Sequence, residues 1–227
     1  MKITDGIYQV DGVNGNVYIV EDGNNLILVD TGLPRNHKKI INSIEGLGRK
    51  PTDVSIIVLT HFHIDHVGNA KKLKELTNAK VAVAVSDADY VAGKKATPKP
   101  KHLRLAWRIM FKLFGSVVKA APVKVDWLLK DGDKVGRFVV VRTPGHSEGS
   151  ISLLDAERKV MFVGDAARFV DGKMLGPPEQ FTLDMDEAKD SIRKISTFDF
   201  DIMLSGHGQP LMSNASQRVK EFYASLK

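Results

Sequence analysis

Residues 59–68 read LTHFHIDHVG and place His61, His63, Asp65 and His66 within six positions of a chain that has seven histidines in all. Imidazole and carboxylate are ligands that zinc, iron and manganese accept. His61 and His63 are two apart, so on an extended segment both rings fall on one side and can share an ion. Asp65 and His66 follow as the chain turns, and adjacent residues there can project toward a different point. Four ligand-type side chains at this spacing suit two neighbouring ions, because a single tetrahedral site would be crowded by its own backbone. Isolated histidines such as His37 and His102 carry no comparable signal. The chain has no cysteine, which excludes thiolate ligands, thiolate catalysis and disulfides.

The residues that must position this cluster come directly before it. VSIIVLT, residues 54–60, is β-branched and apolar and reads as a buried strand that delivers the chain to His61. The same pattern of strand then ligand recurs three times: VVVRTPGHSEG leads to His146, KVMFVGDA to Asp165 and DIMLSGHG to His207. Each ligand candidate stands where an apolar strand enters a glycine-containing loop, the place where α/β proteins put their sites.

Around these strands the chain alternates. IYQV, NVYIV and NLILVD are short strands separated by hairpin punctuation, and Ile40, Ile41, Ile44 and Leu47 recur at helical spacing before a glycine stop. A helix over about 69–77, the strand KVAVAV and a helix from near Ser86 follow. From about residue 123 the pattern restarts with GRFVVVRTPG, SISLLD and KVMFVGD, then a helix in DMDEAKDSIRKI, the strand DIMLSGHG and a closing helix from Ser213. Strands lead and helices trail in both halves. This predicts an α/β fold, one domain over 1–227, with similar lobes at about 1–93 and 122–227 packed sheet to sheet and helices outside. Between them, about 94–121 reads as a basic and apolar helical insertion. There Arg104, Arg108 and Lys112 form one stripe, and Leu103, Trp107 and Phe111 cover other sides. A buried helix with one wet edge, an active-site cap, or a homodimer contact through 103–114 all fit; a membrane contact is disfavoured.

With 43% hydrophobic and 26% charged residues the composition is that of a globular protein, and the first residues lack the apolar core of a signal peptide. No apolar run approaches the roughly 20 residues of a spanning helix. The expectation is a soluble, cytoplasmic protein. The net charge of +6 is read as lysine-rich solvated surface, and a nucleic-acid partner is disfavoured because the aromatic residues of the insertion lie away from its basic stripe.

VDTG with Asp30, THFHIDH, TPGHSEGS, VGD and SGHG stand in this order along the chain, and they resemble the five ordered motifs of the metallo-β-lactamase superfamily. The resemblance covers essentially the whole chain. It implies a four-layer αβ/βα sandwich with two mixed sheets and a two-metal site at one sheet edge. By motif, His61, His63 and His146 would hold the first ion, Asp65, His66 and His207 the second, and Asp165 would bridge them. Asp30 would orient a ligand histidine through its other ring nitrogen. Two divalent ions, zinc foremost, with iron or manganese also suited, would activate a water, and Asp65 is the candidate catalytic group for handling its proton.

The resemblance implies hydrolysis of a small-molecule ester, lactone or thioester. Lactamases of the superfamily typically lack the bridging aspartate that Asp165 supplies, and its nucleases need a large RNA-gripping insertion. Three other readings stay open: a mononuclear iron persulfide dioxygenase using His61, His146 and Asp165, a phosphodiesterase or nuclease, and a non-catalytic metal-binding protein. Substrate contacts are expected from AARFVDGKMLGPPEQFT, residues 166–182. Arg168 could pair with an anionic group there, and Phe169 or Phe181 could wall an apolar pocket.

Overall fold

Short apolar runs punctuated by turns build the first four strands, β1 (Lys2–Thr4), β2 (Ile7–Gln9), β3 (Tyr18–Asp22) and β4 (Asn25–Val29). They pair antiparallel in chain order. Three strands then add in parallel, β5 (Val54–Leu59), β6 (Lys80–Ala84) and β7 (Trp127–Leu129), and complete a seven-stranded mixed sheet in the order β1-β2-β3-β4-β5-β6-β7. The computed structural model describes residues 1–98 and 120–226.

The second sheet uses β8 (Lys134–Val135), β9 (Phe138–Arg142), β10 (Ile151–Asp155) and β11 (Val160–Gly164). After the separate hairpin of β12 (Arg168–Val170) and β13 (Lys173–Leu175), β14 (Ile202–Ser205) returns to lie parallel to β11, in the order β14-β11-β10-β9-β8. The described helices are α1 (His37–Gly46), α2 (Ile64–Val67), α3 (Ala70–Thr77), α4 (Ala88–Val91), α5 (Met185–Ile195) and α6 (Ala215–Ser225). Their apolar residues fall on one stripe: Ile40 and Ile44 of α1 are buried, as are Ala188, Ile192 and Ile195 of α5. The side chain of Asp184 caps α5 by accepting from the backbone N of Asp186 and Glu187, both at 3.1 Å.

Three apolar clusters show the layering. The central one joins the facing sides of the sheets, with Ile7, Val20, Ile27 and Val58 meeting Phe138, Leu153, Phe162 and Leu204. Tyr18 and Phe138 both meet Phe162 edge to face, with ring centroids 5.3 Å apart. A second cluster packs α1 and α3 on the outer face of the first sheet, and a third packs α5 and α6 on the outer face of the second. The result is the expected four-layer αβ/βα sandwich. Backbone bonds pin the two sheets together at one edge: Ile151 N donates to Thr60 O (3.0 Å) and Asn16 N to Gly206 O (2.7 Å).

Several elements differ from the sequence expectation. β7 follows residue 122 yet pairs with β6, so the first sheet reaches across the expected lobe boundary. β1, β7, β8 and the β12–β13 hairpin, each two or three residues long, were not anticipated. The helix expected from Ser86 is a 3-10 turn, Val85–Asp87, followed by the four-residue α4. The insertion helix, with its cap and homodimer alternatives, lies outside the described residues. Among the described residues no helix is long and apolar enough to cross a membrane.

Candidate metal centre

β5 ends at Leu59, and the extended chain beyond it carries His61 and His63 before turning into α2, which holds Asp65 and His66. Leu59 and Val58 are fully buried, so the strand end that aims His61 is fixed by the core. His146 follows β9, Asp165 directly follows β11, and His207 follows β14. All seven residues meet at the pinned edge of the sandwich. Two sets of three ligand atoms form, His61–His63–His146 and Asp65–His66–His207, and a third set of His61, His66 and Asp165 lies between them, each within 4.8 Å.

The distances show Asp165 reaching both sides. Its Oδ2 is 3.4 Å from His146 Nε2 and 3.4 Å from His207 Nε2, while Oδ1 is 3.5 Å from His66 Nε2. His63 Nδ1 lies 2.8 Å from His146 Nε2 and 3.1 Å from His61 Nε2. His207 Nε2 lies 3.0 Å from Asp65 Oδ2. Asp65 and His207 are 28% and 36% exposed, whereas His61, His66 and His146 are buried, so the cluster opens to solvent on the Asp65–His207 side.

Hydrogen bonds from outside decide which ring nitrogens face inward. Thr60 Oγ1 donates to Asp30 Oδ2 (2.8 Å), so toward His61 Nδ1 (3.0 Å) it accepts, and His61 Nε2 is left a bare lone pair. His66 Nδ1 donates to Asp30 Oδ2 (2.8 Å), which turns its Nε2 inward toward Asp165 Oδ1 (3.5 Å), where a cation would replace the proton that the two carboxylates hold on it. Thr182 Oγ1 donates to Pro178 O (2.8 Å) and accepts from His146 Nδ1 (3.1 Å), which leaves His146 Nε2 bare. A hydrogen on His63 Nδ1 can satisfy only one of the two nitrogens it faces. Asp165 Oδ1 is buried with no hydrogen-bond donor at all. Buried acceptors converging without donors are costly unless a cation meets them, and imidazoles oriented by carboxylate or hydroxyl partners are how proteins prepare metal ligands. The donor set fits divalent metal ions.

Protonation follows the same division. Burial, reinforced by neighbouring imidazoles, holds His61 and His146 well below the ordinary histidine range and His63 at about 4. Burial also opposes a charge on His66, but Asp30 and Asp165 outweigh it and raise His66 to about 10. The hydrogen bond to Asp65 raises His207. Burial pushes Asp165 up.

The family model described as the metallo-beta-lactamase superfamily matches residues 10–207. The chain belongs to the metallo-beta-lactamase superfamily. It is 27% identical to the Bacillus subtilis (strain 168) protein named "Probable metallo-hydrolase YflN", over 91% of this chain and 87% of the relative. It is also 27% identical to the human protein named "Acyl-coenzyme A thioesterase MBLAC2", over 77% of this chain and 67% of that protein. Among solved structures, the metallo-beta-lactamase family protein TTHA1429 from Thermus thermophilus superposes with a TM-score of 0.74 at 22% identity, covering 99% of this chain and 80% of that one, which shows the shared fold.

Within this superfamily fold, Asp30 stands where the sequence placed it. It takes a left-handed backbone (φ 61°), which aspartate tolerates better than most residues, and it accepts from Thr60 N, Thr60 Oγ1 and His66 Nδ1, each at 2.8 Å. Gly206 has a steric reason to be glycine, since a Cβ there would run into Asp165 Oδ1 and His66 Cε1. Sequence reasoning missed Thr60, Thr182 and Asp87. Of these only Thr60, a polar residue between the end of β5 and His61, carried a local signal.

The expected substrate residues fare unequally. Arg168 Nε donates to Gly176 O (3.1 Å) within its own hairpin segment. The Phe169 ring packs against the outer cluster of the second sheet under the guanidinium of Arg218, 5.4 Å from its centroid. These contacts tie both side chains to the β12–β13 hairpin and the helix layer. Phe181 is 36% exposed and directly precedes Thr182, whose hydroxyl accepts from His146 Nδ1.

Proposed function

We propose that this chain is a metallo-hydrolase that uses two divalent ions to cleave a small ester, lactone or thioester. The observation that carries the reading is the convergence of the Nε2 atoms of His61, His66 and His146, each turned inward by an outer partner on its Nδ1, around Asp165, whose buried Oδ1 has no hydrogen-bond partner. His61, His63 and His146 would hold one ion and Asp65, His66 and His207 the other, with Asp165 between. Zinc suits this donor set best, and iron and manganese accept it. Bound there, the ions would bring the pKa of a water toward neutrality and polarise an acyl oxygen.

The chain's own groups do the rest. Asp65 is buried enough to raise its pKa, yet the His207 hydrogen bond and the surrounding imidazoles overcome this and hold it below the usual carboxylate range. It is therefore ionised at neutral pH on the open side of the cluster, placed to accept a hydrogen bond from the attacking water and orient it. Phe181, exposed beside Thr182, would supply an apolar surface for an acyl chain. A thioester is the first substrate to test, because relatives from human and chicken carry the name acyl-coenzyme A thioesterase. The second ligand set, with His66 held in place by Asp30, favours two ions over the single iron of a persulfide dioxygenase.

Metal analysis with a panel of acyl thioesters, lactones, esters and phosphodiesters tests this. The expected result is close to two ions per chain and turnover of carboxyl derivatives that chelation or His63→Ala abolishes. One iron per chain with oxygen uptake on a persulfide would overturn it, as would preferential cleavage of phosphodiesters.

A further inference from the structure

We infer that Asp87 is a positioning residue for the three-imidazole half of the metal centre, holding the His61–His63 loop and the His146 loop together on one buried carboxylate. The inference rests on the metal-binding reading above. Asp87 ends the 3-10 turn that follows β6 and is fully buried. Its Oδ2 accepts from Phe62 N (3.0 Å) and from Ser147 Oγ (2.7 Å), and its Oδ1 accepts from Gly149 N (2.8 Å). Phe62 is the residue between His61 and His63, and Ser147 is the residue after His146. One carboxylate therefore ties the backbone of the first loop to both a side chain and the backbone of the second.

The surroundings are shaped for a carboxylate. A Cβ on Gly149 would lie 2.5 Å from Asp87 Cγ, so the loop closes this tightly only because glycine stands there. Ser147 is braced in turn, its N donating to Ser150 Oγ at 2.9 Å and its Oγ lying 2.9 Å from the same atom. From the same segment Tyr90 packs on Phe62, with ring centroids 4.9 Å apart. Among the described residues Asp87 pairs with no cation, so three hydrogen bonds alone offset its burial. An amide cannot replace it. Each oxygen faces a backbone N–H, and asparagine would turn its NH2 onto one of them whichever way it is flipped. A buried charge without a counterion is retained where a double acceptor between two ligand loops is needed.

None of these bonds involves Asp65, His66 or His207. The effect of Asp87 is therefore confined to one half of the centre. The test is a titration of the metal-free chain with Zn(II) against a chromophoric chelator, run in a His207→Ala background where the first half is left to fill, and in a His63→Ala background where the second is. Asp87→Asn should weaken zinc binding roughly ten- to a hundredfold in the first background, the range for residues that orient ligands, and leave the second background unchanged. Ser147→Ala removes one of the three donors and should shift the first background in the same direction by less. It keeps the inference testable if Asp87→Asn does not fold. With Co(II) in place of zinc, the visible absorption of the first-half ion should change in Asp87→Asn. Equal weakening in both backgrounds, or a lowered melting temperature of the metal-free chain with unchanged zinc affinity, would mean a merely structural role and overturn the inference. If the unsubstituted chain takes up no zinc, the metal reading falls and takes this inference with it; selective failure of the Asp87 and Ser147 variants removes the inference alone.

Discussion

His61, His63 and His146 face one another with no carboxylate in their set, whereas Asp65, His66 and His207 pair two imidazoles with an acid. The first set is neutral by burial. The second, in the absence of metal, draws protons, with His66 raised to about 10 and His207 also raised. The outer partners differ in the same sense: the hydroxyls of Thr60 and Thr182 serve His61 and His146, and the carboxylate of Asp30 serves His66. One half is an uncharged nest that a cation can enter directly, and the other is a proton-loaded site from which a cation must expel a proton.

Asp165 touches both halves, so its removal should have the largest effect. Asp165→Ala is expected to lower the affinity of both ions and to cut turnover on the order of a thousandfold, the scale seen when a group stabilising developing charge is lost. Loss of only one ion, read by mass spectrometry for metal content, would show that the halves do not share this residue.

The difference between the halves also predicts how each responds to pH. An ion entering the second half must displace the His66 proton, which is held up to about pH 10 in the metal-free chain. As pH falls below that value the protonated form dominates, and apparent affinity should drop about tenfold per pH unit. The first half keeps its rings unprotonated until pH approaches about 4, where His63 titrates. Between pH 8 and 6 the second ion should therefore weaken about a hundredfold and the first hardly at all, measured by chelator competition. Parallel slopes for the two ions would break the comparison.

Asp30→Ala comes next. It strips His66 Nδ1 and Thr60 of a shared acceptor, and should weaken the second-half ion by roughly ten- to a hundredfold, with a smaller effect on the first through Thr60 and His61. A larger effect on the first half would reverse the assignment.

What the sequence could show follows from how each residue does its work. The seven ligand candidates were legible because each stands just beyond a long apolar strand or in the turn after one. β5, β9, β11 and β14 are long enough for their apolar runs to be seen. The two-sheet architecture was legible for the same reason. Strands of two or three residues, such as β1 and β8, hold too little alternation to register, and β7 pairs across the insertion, a link that no local pattern encodes. Thr60, Thr182 and Asp87 were missed for a related reason: their importance lies in meeting a residue far along the chain, as Thr182 meets His146 and Asp87 meets Gly149.

Thr182 supplies the smallest and most discriminating comparison. Its hydroxyl accepts from His146 Nδ1 and donates to Pro178 O, so valine, nearly the same shape, removes both contacts with little change in packing. A neutral hydrogen bond of this kind contributes about 1 kcal/mol, so Thr182→Val should weaken the first-half ion about fivefold and leave the second unchanged. Against Asp30→Ala this isolates the character of the acceptor, since both remove the outer partner of a buried ligand imidazole. If Thr182→Val cost as much as Asp30→Ala, the charge on Asp30 would be irrelevant to holding metal, and the two halves would differ only in their protons.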